Sequence, residues 1–439
     1  MMNLTAPMAA VGDREPAIAY HVQASRLEGQ VRLSGAKNSV LRLMAASLLT
    51  KEPVRLRNYP ATLRDAEVHR RMLERLGKRC TVTPGAGGGD TLLIEEVSAP
   101  PGELLWEGRS IRNTLLIMGA LCARTGHGAV PMPGGCDLGN RKYDLHVMLL
   151  ERLGATTEEA AARLAAEAPK GGLVGGDIVL PLRSTGATEN AIISASLARG
   201  KTTLWGPHIR PEILDLIAML RQMGAQIEVF GQERIEIEGR TELGGADHFV
   251  LPDNMEALTW MIGATITGGE IEILDFPAPD LEVPLAFLKE SGARWFTGDG
   301  SVIVKGGACY PVEIATGPYP GINSDMQPLF ALFGAMSPGE SKIIDLRFPG
   351  RYGYAEELAK MGFLHEVRGD VLHVRGGPRL TGARVTALDL RAGIALTLAG
   401  LVAEGETVVS DAWQVERGYD RFVEKLQSLG GRISVADEG

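Results

Sequence analysis

The sequence is poor in cysteine, has no long apolar run and carries no excess of basic residues, and each shortage excludes a class of protein. Its four cysteines form no Cys-x-x-Cys pair and no zinc spacing, so we expect reduced thiols in a cytosolic protein. The absence of any apolar run of about 18 residues argues against a membrane span. The net charge of −9 argues against a nucleic-acid partner but is compatible with a local basic pocket for a small anion.

The N-terminal segment Met1 to Ala17 mixes alanine, proline and charges of both signs. It lacks the basic start and the long apolar core of a signal peptide. We therefore expect residues 1–19 to form a flexible tail.

What the chain does contain is a sixfold repeat. A sequence pattern recurs at intervals of 68 to 77 residues: it is typical of a helix end, followed by glycine and then by a strand. Glycine at this place is typical of a helix C′ cap in the left-handed conformation. The six glycines are Gly77, Gly154, Gly224, Gly292, Gly362 and Gly430.

Each repeat also carries an alanine-rich helix that is apolar almost all round, which is typical of a buried helix. A short β-rich run follows it, and an amphipathic helix such as Asp65–Leu76 comes next and should lie outside. One unit therefore reads as βαβαββ, with about 70 residues. The six apolar helices begin near Ser39, Asn113, Glu189, Glu256, Met326 and Ala392.

Six such units predict an α/β fold of two domains, each an inside-out α/β barrel of three βαβαββ repeats with its helices inside. We expect the first domain to span residues 34–244 and the second to span 20–33 plus 245–439. Strands within Tyr20–Leu33 should pack with the second half, because that half otherwise lacks its first strands.

Unusual polar residues collect where the helices begin, and helix N-termini attract anions. If the units are related by pseudo-symmetry, these points converge on one active site in the cleft between the domains. A pocket with this many cations suits a small polyanion. The cations are Lys37, Arg112, Arg141, Arg351, Arg391 and Arg417.

The stretch Pro131–His146 holds Cys136 directly after two glycines. Arg141, Lys142 and His146 follow within ten residues, and cationic neighbours favour a reactive thiolate. The alternative is a small buried cysteine beside a turn, since free cysteine is often buried.

Six motifs in register with the repeat resemble those of the UDP-N-acetylglucosamine 1-carboxyvinyltransferases, a branch of the enolpyruvyl transferase family. The resemblance runs from about Tyr20 to Val435, and Lys37-Asn38 with the Cys136 loop favours this branch over the shikimate-pathway one. The motifs are Ser34–Ser39, Pro133–His146, Ser184–Asn190, Tyr319–Gln327, Asp389–Ala392 and Glu416–Arg421.

This resemblance implies transfer of the enolpyruvyl group of phosphoenolpyruvate to a sugar hydroxyl, with Cys136 as acid, Asp325 as base and Lys37 as a third catalytic residue. It implies no metal and no organic cofactor, and its partners are phosphoenolpyruvate and a uridine nucleotide sugar, with no nucleic acid or membrane. Phosphoenolpyruvate would contact Lys37, Arg112, Arg141, Arg351, Arg391 and Arg417. The nucleotide sugar would contact Asn38, Arg112, Arg141, Lys142, Tyr143, Asp144, Leu145, Ser184, Thr185, Gly186 and Asp325.

Three departures from the family pattern lie near the implied acceptor site. They are Arg141-Lys142-Tyr143 in the cysteine loop, Asn323-Ser324 before the implied base, and Glu416 before the late Arg-Gly-Tyr. Two alternatives follow from them: enolpyruvyl transfer to another nucleotide such as UMP in nucleoside-antibiotic synthesis, and a non-catalytic paralogue that binds a nucleotide and regulates.

Overall fold

The computed structural model describes residues 17–85, 89–133, 143–160 and 162–438. Cys136, Arg141 and Lys142 lie outside these ranges. The helices are α1 Lys37–Ala46, α2 Arg64–Arg75, α3 Thr114–Thr125, α4 Asp144–Arg152, α5 Thr185–Ala195, α6 Pro211–Gln222, α7 Asn254–Ile266, α8 Glu282–Glu290, α9 Gln327–Ala335, α10 Gly353–Ala359, α11 Leu390–Gly400, α12 Trp413–Glu416 and α13 Phe422–Ser428.

The apolar helices predicted for the interior are α1, α3, α5, α7, α9 and α11, and they are buried as expected. Every residue of α7 and of α11 is buried. Close packing explains the small residues: a Cβ added to Gly119 in α3 would lie 1.8 Å from Oδ1 of Asn190 in α5. Within the described ranges, no helix is long and apolar enough to cross a membrane.

The amphipathic helices lie outside the apolar ones, and each unit ends as predicted. Helix α2 buries Ala66, His69 and Leu73, which share one face of the helix at three- and four-residue spacing. The six repeat glycines have φ between 83° and 99°, which only glycine adopts without strain. The sixth unit differs, because its outer helix is broken into α12 and α13.

Strands cover the helices in small sheets, one for each unit. The strands are β1 Ile18–Gln23, β2 Glu28–Arg32, β3 Val54–Tyr59, β4 Lys78–Pro84, β5 Asp90–Glu96, β6 His127–Pro131, β7 Thr156–Ala160, β8 Arg163–Glu167, β9 Asp177–Val179, β10 Lys201–Trp205, β11 Gln226–Phe230, β12 Arg234–Glu238, β13 Ala246–Phe249, β14 Glu270–Leu274, β15 Arg294–Thr297, β16 Ser301–Lys305, β17 Glu313–Ala315, β18 Gly339–Ile344, β19 Leu364–Arg368, β20 Val371–Gly376, β21 Arg384–Thr386, β22 Glu406–Ser410 and β23 Arg432–Asp437. In the third unit the order is β11-β12-β10-β9, with β9 parallel to β10 and the other pairs antiparallel. The fourth and fifth units repeat this pattern.

Three strands reach across the sequence to complete these sheets. Strand β1 lies between β22 and β23 in the sixth unit, and β2 pairs in parallel with β14 in the fourth. The strands before the first apolar helix therefore pair with strands of the fourth and sixth units. Strand β13 pairs in parallel with β3 of the first unit. The expected boundary at 244–245 precedes this strand, and we propose that the two domains divide after Val250.

Two separate apolar cores match that division. One contains buried side chains from Val40 to Val250, and the other combines Ile18–Leu33 with residues from Met255 to Ile433. The chain crosses between them twice, and the crossings lie side by side. Ala36 N–H donates to the Leu251 carbonyl at 2.8 Å, and Asp253 N–H donates to the Ser34 carbonyl at 2.9 Å. Helices α1 and α7 therefore both begin at the junction of the halves.

Candidate active site

A cavity of about 1430 Å³ is lined by residues of both halves, and most of them belong to helix N-termini or to the turns before them. Twelve of the residues predicted from the sequence line it: Lys37, Asn38, Arg112, Asp144, Leu145, Ser184, Thr185, Gly186, Asp325, Arg351, Arg391 and Arg417. Tyr143 does not line the cavity, because its side chain packs against the first apolar core.

Lys37 and Arg417 meet at one buried carboxylate. Nζ of Lys37 lies 2.7 Å from Oδ2 of Asp65, and Nε of Arg417 lies 3.4 Å from Oδ1 of the same residue. Burial opposes the charge on Asp65, but Lys37, Arg417 and Arg109 outweigh it and lower its pKa to about 2. Burial also lowers the pKa of Lys37, while Asp65 opposes that shift. Three cations surround one carboxylate, so the cluster carries a net positive charge that attracts an anionic ligand.

Lys37 is the first residue of α1 and lines the cavity. Asp253, which follows the second crossing, accepts from the N–H groups of Met255 and Glu256 and so caps α7. Its other oxygen accepts from the backbone N–H of Lys37 at 3.1 Å. One side chain therefore ties the beginnings of α1 and α7 together, and it holds Lys37 at the boundary between the halves.

Asp325 lies between two guanidinium groups. Its Oδ1 is 2.9 Å from Nη1 of Arg351, and its Oδ2 is 3.2 Å from Nε of Arg391. Burial tends to lower the pKa of both arginines, but their carboxylate neighbours raise it overall. The two arginines orient the carboxylate, while 27% of the Asp325 side chain stays exposed and lines the cavity.

Side chains around Asp325 make that orientation rigid. Asn323 caps the short 3₁₀ helix Ser324–Met326 by accepting from the Asp325 N–H at 3.0 Å. Ser324 donates to Asp345 at 2.5 Å, and Gln327 donates to the same carboxylate at 3.1 Å. Asn323 and Ser324, which depart from the family pattern, therefore cap the 3₁₀ helix and help to fix Asp325, the residue that follows them.

The opposite wall is built by the first half, where α5 begins. Ser184 caps this helix through the Ala187 N–H at 3.4 Å, and Thr185 contacts Nδ1 of His208 at 2.8 Å. Below them, Nε of Arg42 lies 2.6 Å from Oε1 of Glu189. The N–H groups of the first turn and the hydroxyl groups of Ser184 and Thr185 suit a phosphate or carbonyl oxygen.

His146 has a different role from the one its position suggested. Its Nδ1 lies 3.0 Å from Nδ2 of Asn190, and burial, helped by Arg112, lowers its pKa to about 3. His69 makes the equivalent contact with Asn113 one unit earlier, and burial likewise lowers its pKa to about 3. The expectation that His146 is a cation beside Cys136 is therefore wrong. It is a buried, neutral residue at the edge of the cavity, and its contact with an asparagine repeats with the fold.

Arg42 and His208 are among the cavity residues that sequence reasoning missed. Arg42 interrupts an apolar helix one turn after Lys37, and that isolated charge was the available signal. His208 stands in a turn without a motif, and its partners are distant in sequence. Among the described residues, no group of three or more histidine, cysteine, aspartate or glutamate side chains could hold a metal ion.

The six βαβαββ units and a cavity rich in cations between the two halves are what the resemblance to the enolpyruvyl transferases implies. The family model of EPSP synthase (3-phosphoshikimate 1-carboxyvinyltransferase) matches residues 22–426, and the chain belongs to that family.

Within the family, the chain resembles the branch that acts on a nucleotide sugar. It is 41% identical to the UDP-N-acetylglucosamine 1-carboxyvinyltransferase of Novosphingobium aromaticivorans, over 93% of this chain and 96% of the relative. It is 40% identical to the enzyme of the same name from Sphingopyxis alaskensis, over 94% and 98%.

Solved structures agree on the fold. The enolpyruvyl transferase NikO from Streptomyces tendae superposes with a TM-score of 0.85 at 27% identity, covering 97% of this chain and 100% of NikO. EPSP synthase from Acinetobacter baumannii superposes with a TM-score of 0.73 at 18% identity, covering 96% and 100%. The two-domain α/β architecture expected from the repeat is thus confirmed.

Proposed function

We propose that this enzyme transfers the enolpyruvyl group of phosphoenolpyruvate to the 3-hydroxyl of UDP-N-acetylglucosamine and releases phosphate. Support comes from one cavity that combines the Lys37–Asp65–Arg417 cluster with the clamped Asp325, in a chain about 40% identical to transferases of that name. This reaction opens peptidoglycan synthesis, so the protein would work in the cytoplasm and affect cell shape and division.

The chemistry needs one acid and one base within reach of the substrates. Asp325 would accept the proton of the sugar hydroxyl as its oxygen attacks carbon 2 of phosphoenolpyruvate. Cys136 would deliver a proton to carbon 3, which completes a tetrahedral intermediate. Loss of phosphate from carbon 2 and of a proton from carbon 3 then regenerates the double bond, now on the sugar ether.

The cations would bind phosphoenolpyruvate in two sets. Lys37, Arg112, Arg141 and Arg417 would hold its phosphate, and Arg351 and Arg391 would lie near its carboxylate. Guanidinium groups bind both anions through paired hydrogen bonds. Arg351 and Arg391 also orient Asp325, so they would align the base and the substrate at once.

The acceptor would lie against the first half. Asn38 would position the sugar, close to Asp325. The uridine and the diphosphate would contact Arg112, Arg141, Lys142, Asp144, Leu145, Ser184, Thr185 and Gly186, with backbone N–H groups contributing where α5 begins.

An acceptor assay tests this function. Phosphate release from phosphoenolpyruvate is measured with UDP-N-acetylglucosamine and, separately, with UMP. We expect turnover with the amino sugar and none with UMP. Turnover with UMP alone would replace this acceptor by a free nucleotide, and release with neither, at enzyme concentrations that bind both, would show a non-catalytic binding protein.

Alkylation by fosfomycin tests the role of Cys136. The resemblance implies that this epoxide alkylates the loop cysteine, and the other thiols are poor nucleophiles here. Burial raises the pKa of Cys80 and Cys122 to about 12 and that of Cys309 to about 11, and only the thiolate reacts. Mass spectrometry should therefore show an adduct on the wild type and none on Cys136→Asp. The matched control Cys309→Ala should keep the adduct, and a label that persists in Cys136→Asp would identify a different thiol.

A further inference from the structure

His208 connects the two halves across the cavity. Its Nδ1 lies 2.8 Å from Oγ1 of Thr185, and its Nε2 accepts from the Tyr319 backbone N–H at 3.0 Å. Its own backbone N–H donates to Oγ1 of Thr188 in α5 at 3.0 Å. The ring is half-buried and lines the cavity. It therefore touches the wall that holds Thr185 and the loop that leads to Asp325.

These partners determine which ring nitrogen carries the proton. A backbone N–H can only donate, so Nε2 must be the unprotonated nitrogen. The neutral ring then carries its proton on Nδ1 and donates it to the Thr185 hydroxyl oxygen. Thr185 keeps its own hydrogen for another acceptor, and its side chain lines the cavity.

The Tyr319 contact is coupled to Asp325 through a compact loop. Gly317 N–H donates to the Ile322 carbonyl and Gly321 N–H donates to the Pro318 carbonyl, both at 2.8 Å. The segment then continues into the 3₁₀ helix that carries Asp325. Fixing Tyr319 therefore helps to fix the distance between Asp325 and the first half.

Other polar contacts between the halves join different units, and the Asp65–Arg417 pair in the cavity is one of them. The Thr62 N–H donates to Asp420 at 2.9 Å, and Ser34, at the first crossing, donates to the same carboxylate at 3.1 Å. These contacts join the first unit to the sixth, next to the crossings. The His208 contact joins the third unit to the fifth.

We propose that His208 is a positioning residue that joins the acceptor-binding wall to the Asp325 loop and turns the Thr185 hydroxyl toward an oxygen of the nucleotide sugar. This inference rests on the proposed function for its substrate class. The contact between the halves is a property of the protein alone.

The contact requires a neutral ring. A protonated ring would present an N–H to the Tyr319 N–H, and the hydrogen bond between the halves would be lost. Burial, helped by Arg210, Arg347 and Arg183 and opposed by Glu212, lowers the pKa of His208 to about 4. Because its pKa is depressed to about 4, the ring is neutral at pH 7, and the contact is lost as the pH falls through about 4.

Amide hydrogen exchange at Tyr319 tests the contact without any substrate. At pH 7 and in the ligand-free protein, we expect the peptide containing Tyr319 to exchange about tenfold faster in His208→Phe than in the wild type, because one hydrogen bond is lost. At pH 4, where about half of the wild-type rings are protonated, the difference should shrink. The control variant is His373→Phe. His373 lies on strand β20 and bonds to Glu340, so this variant should exchange like the wild type at Tyr319. Equal exchange in His208→Phe and the wild type at pH 7 would overturn the inference.

Steady-state kinetics test the effect on the acceptor. In His208→Phe the KM for UDP-N-acetylglucosamine should rise about tenfold, with a smaller change in the KM for phosphoenolpyruvate. His208→Gln, whose amide oxygen can accept from Tyr319, should recover part of the loss. The wild-type acceptor KM should rise as the pH falls from about 5 toward 4, and this rise should be smaller in His208→Phe.

An acceptor KM that stays unchanged in His208→Phe, while the wild type turns over UDP-N-acetylglucosamine, would also overturn the inference. If the wild type does not use UDP-N-acetylglucosamine at all, the proposed function fails. The exchange experiment then decides the role of His208 independently.

Discussion

Replacing Asp325 by asparagine is expected to lower kcat for phosphate release by about 10³-fold, within the range of lost general-base catalysis. Asparagine keeps the shape of the side chain, but it cannot take the proton of the sugar hydroxyl. Its amide would also place an NH₂ group against one of the two guanidiniums that now hold the carboxylate. Steady-state phosphate release and calorimetric titration with UDP-N-acetylglucosamine measure both effects.

Nucleotide-sugar binding should survive the Asp325→Asn change within about threefold, because most of the expected acceptor contacts lie in the first half. Asp299→Asn, in an exposed turn between two strands, is the matched control and should behave as the wild type. A variant that keeps more than about a tenth of the wild-type kcat would rule out Asp325 as the base.

Replacing Lys37 by methionine is expected to lower kcat/KM for phosphoenolpyruvate by about 10²- to 10³-fold, the usual cost of removing a group that stabilises developing negative charge. Methionine fills similar space without charge. Asp65 would remain, paired with Arg417 and Arg109, and its charge would repel an incoming phosphate. Initial rates at varied phosphoenolpyruvate concentration measure the loss.

The stability of Lys37→Met is measured as well, because the site is buried and the change leaves fewer cations at Asp65. A midpoint of thermal unfolding equal to that of the wild type shows that the loss of kcat/KM is catalytic. Lys289→Met, on an exposed position of α8, is the control and should change neither rate nor stability. If kcat/KM for phosphoenolpyruvate in Lys37→Met stays within about threefold of the wild type, Lys37 does not bind the transferred phosphate.

Local patterns were sufficient to predict the repeat, the buried helices and the helix-ending glycines. Each depends on a few residues close in sequence: an apolar stretch has to be buried, and a glycine after a helix permits positive φ. Gly77 and Gly430 show the same geometry although 353 residues separate them. The family motifs also placed Lys37, Asp325 and Arg391 in one cavity.

Contacts across the junction could not be predicted in this way. Strand β13 pairs with β3 although 192 residues separate the partners Ala246 and Val54, and no local pattern assigns it to the first unit. His146 stands close in sequence to Arg141 and Cys136, yet its environment comes from Asn190 on another helix, and burial makes it neutral.

The sequence by itself therefore determined the class of fold, the number of units and the residues that bring charge to the site, because these follow from periodicity, capping and side-chain chemistry. The tertiary structure alone decided which groups are paired. It placed Asp65 between Lys37 and Arg417, and Asp325 between Arg351 and Arg391. It also bonded His208 to Tyr319 across the cavity. The physical reason is that hydrogen bonds and ion pairs depend on distances of about 3 Å between groups far apart in the chain, and only packing of the two halves brings them together.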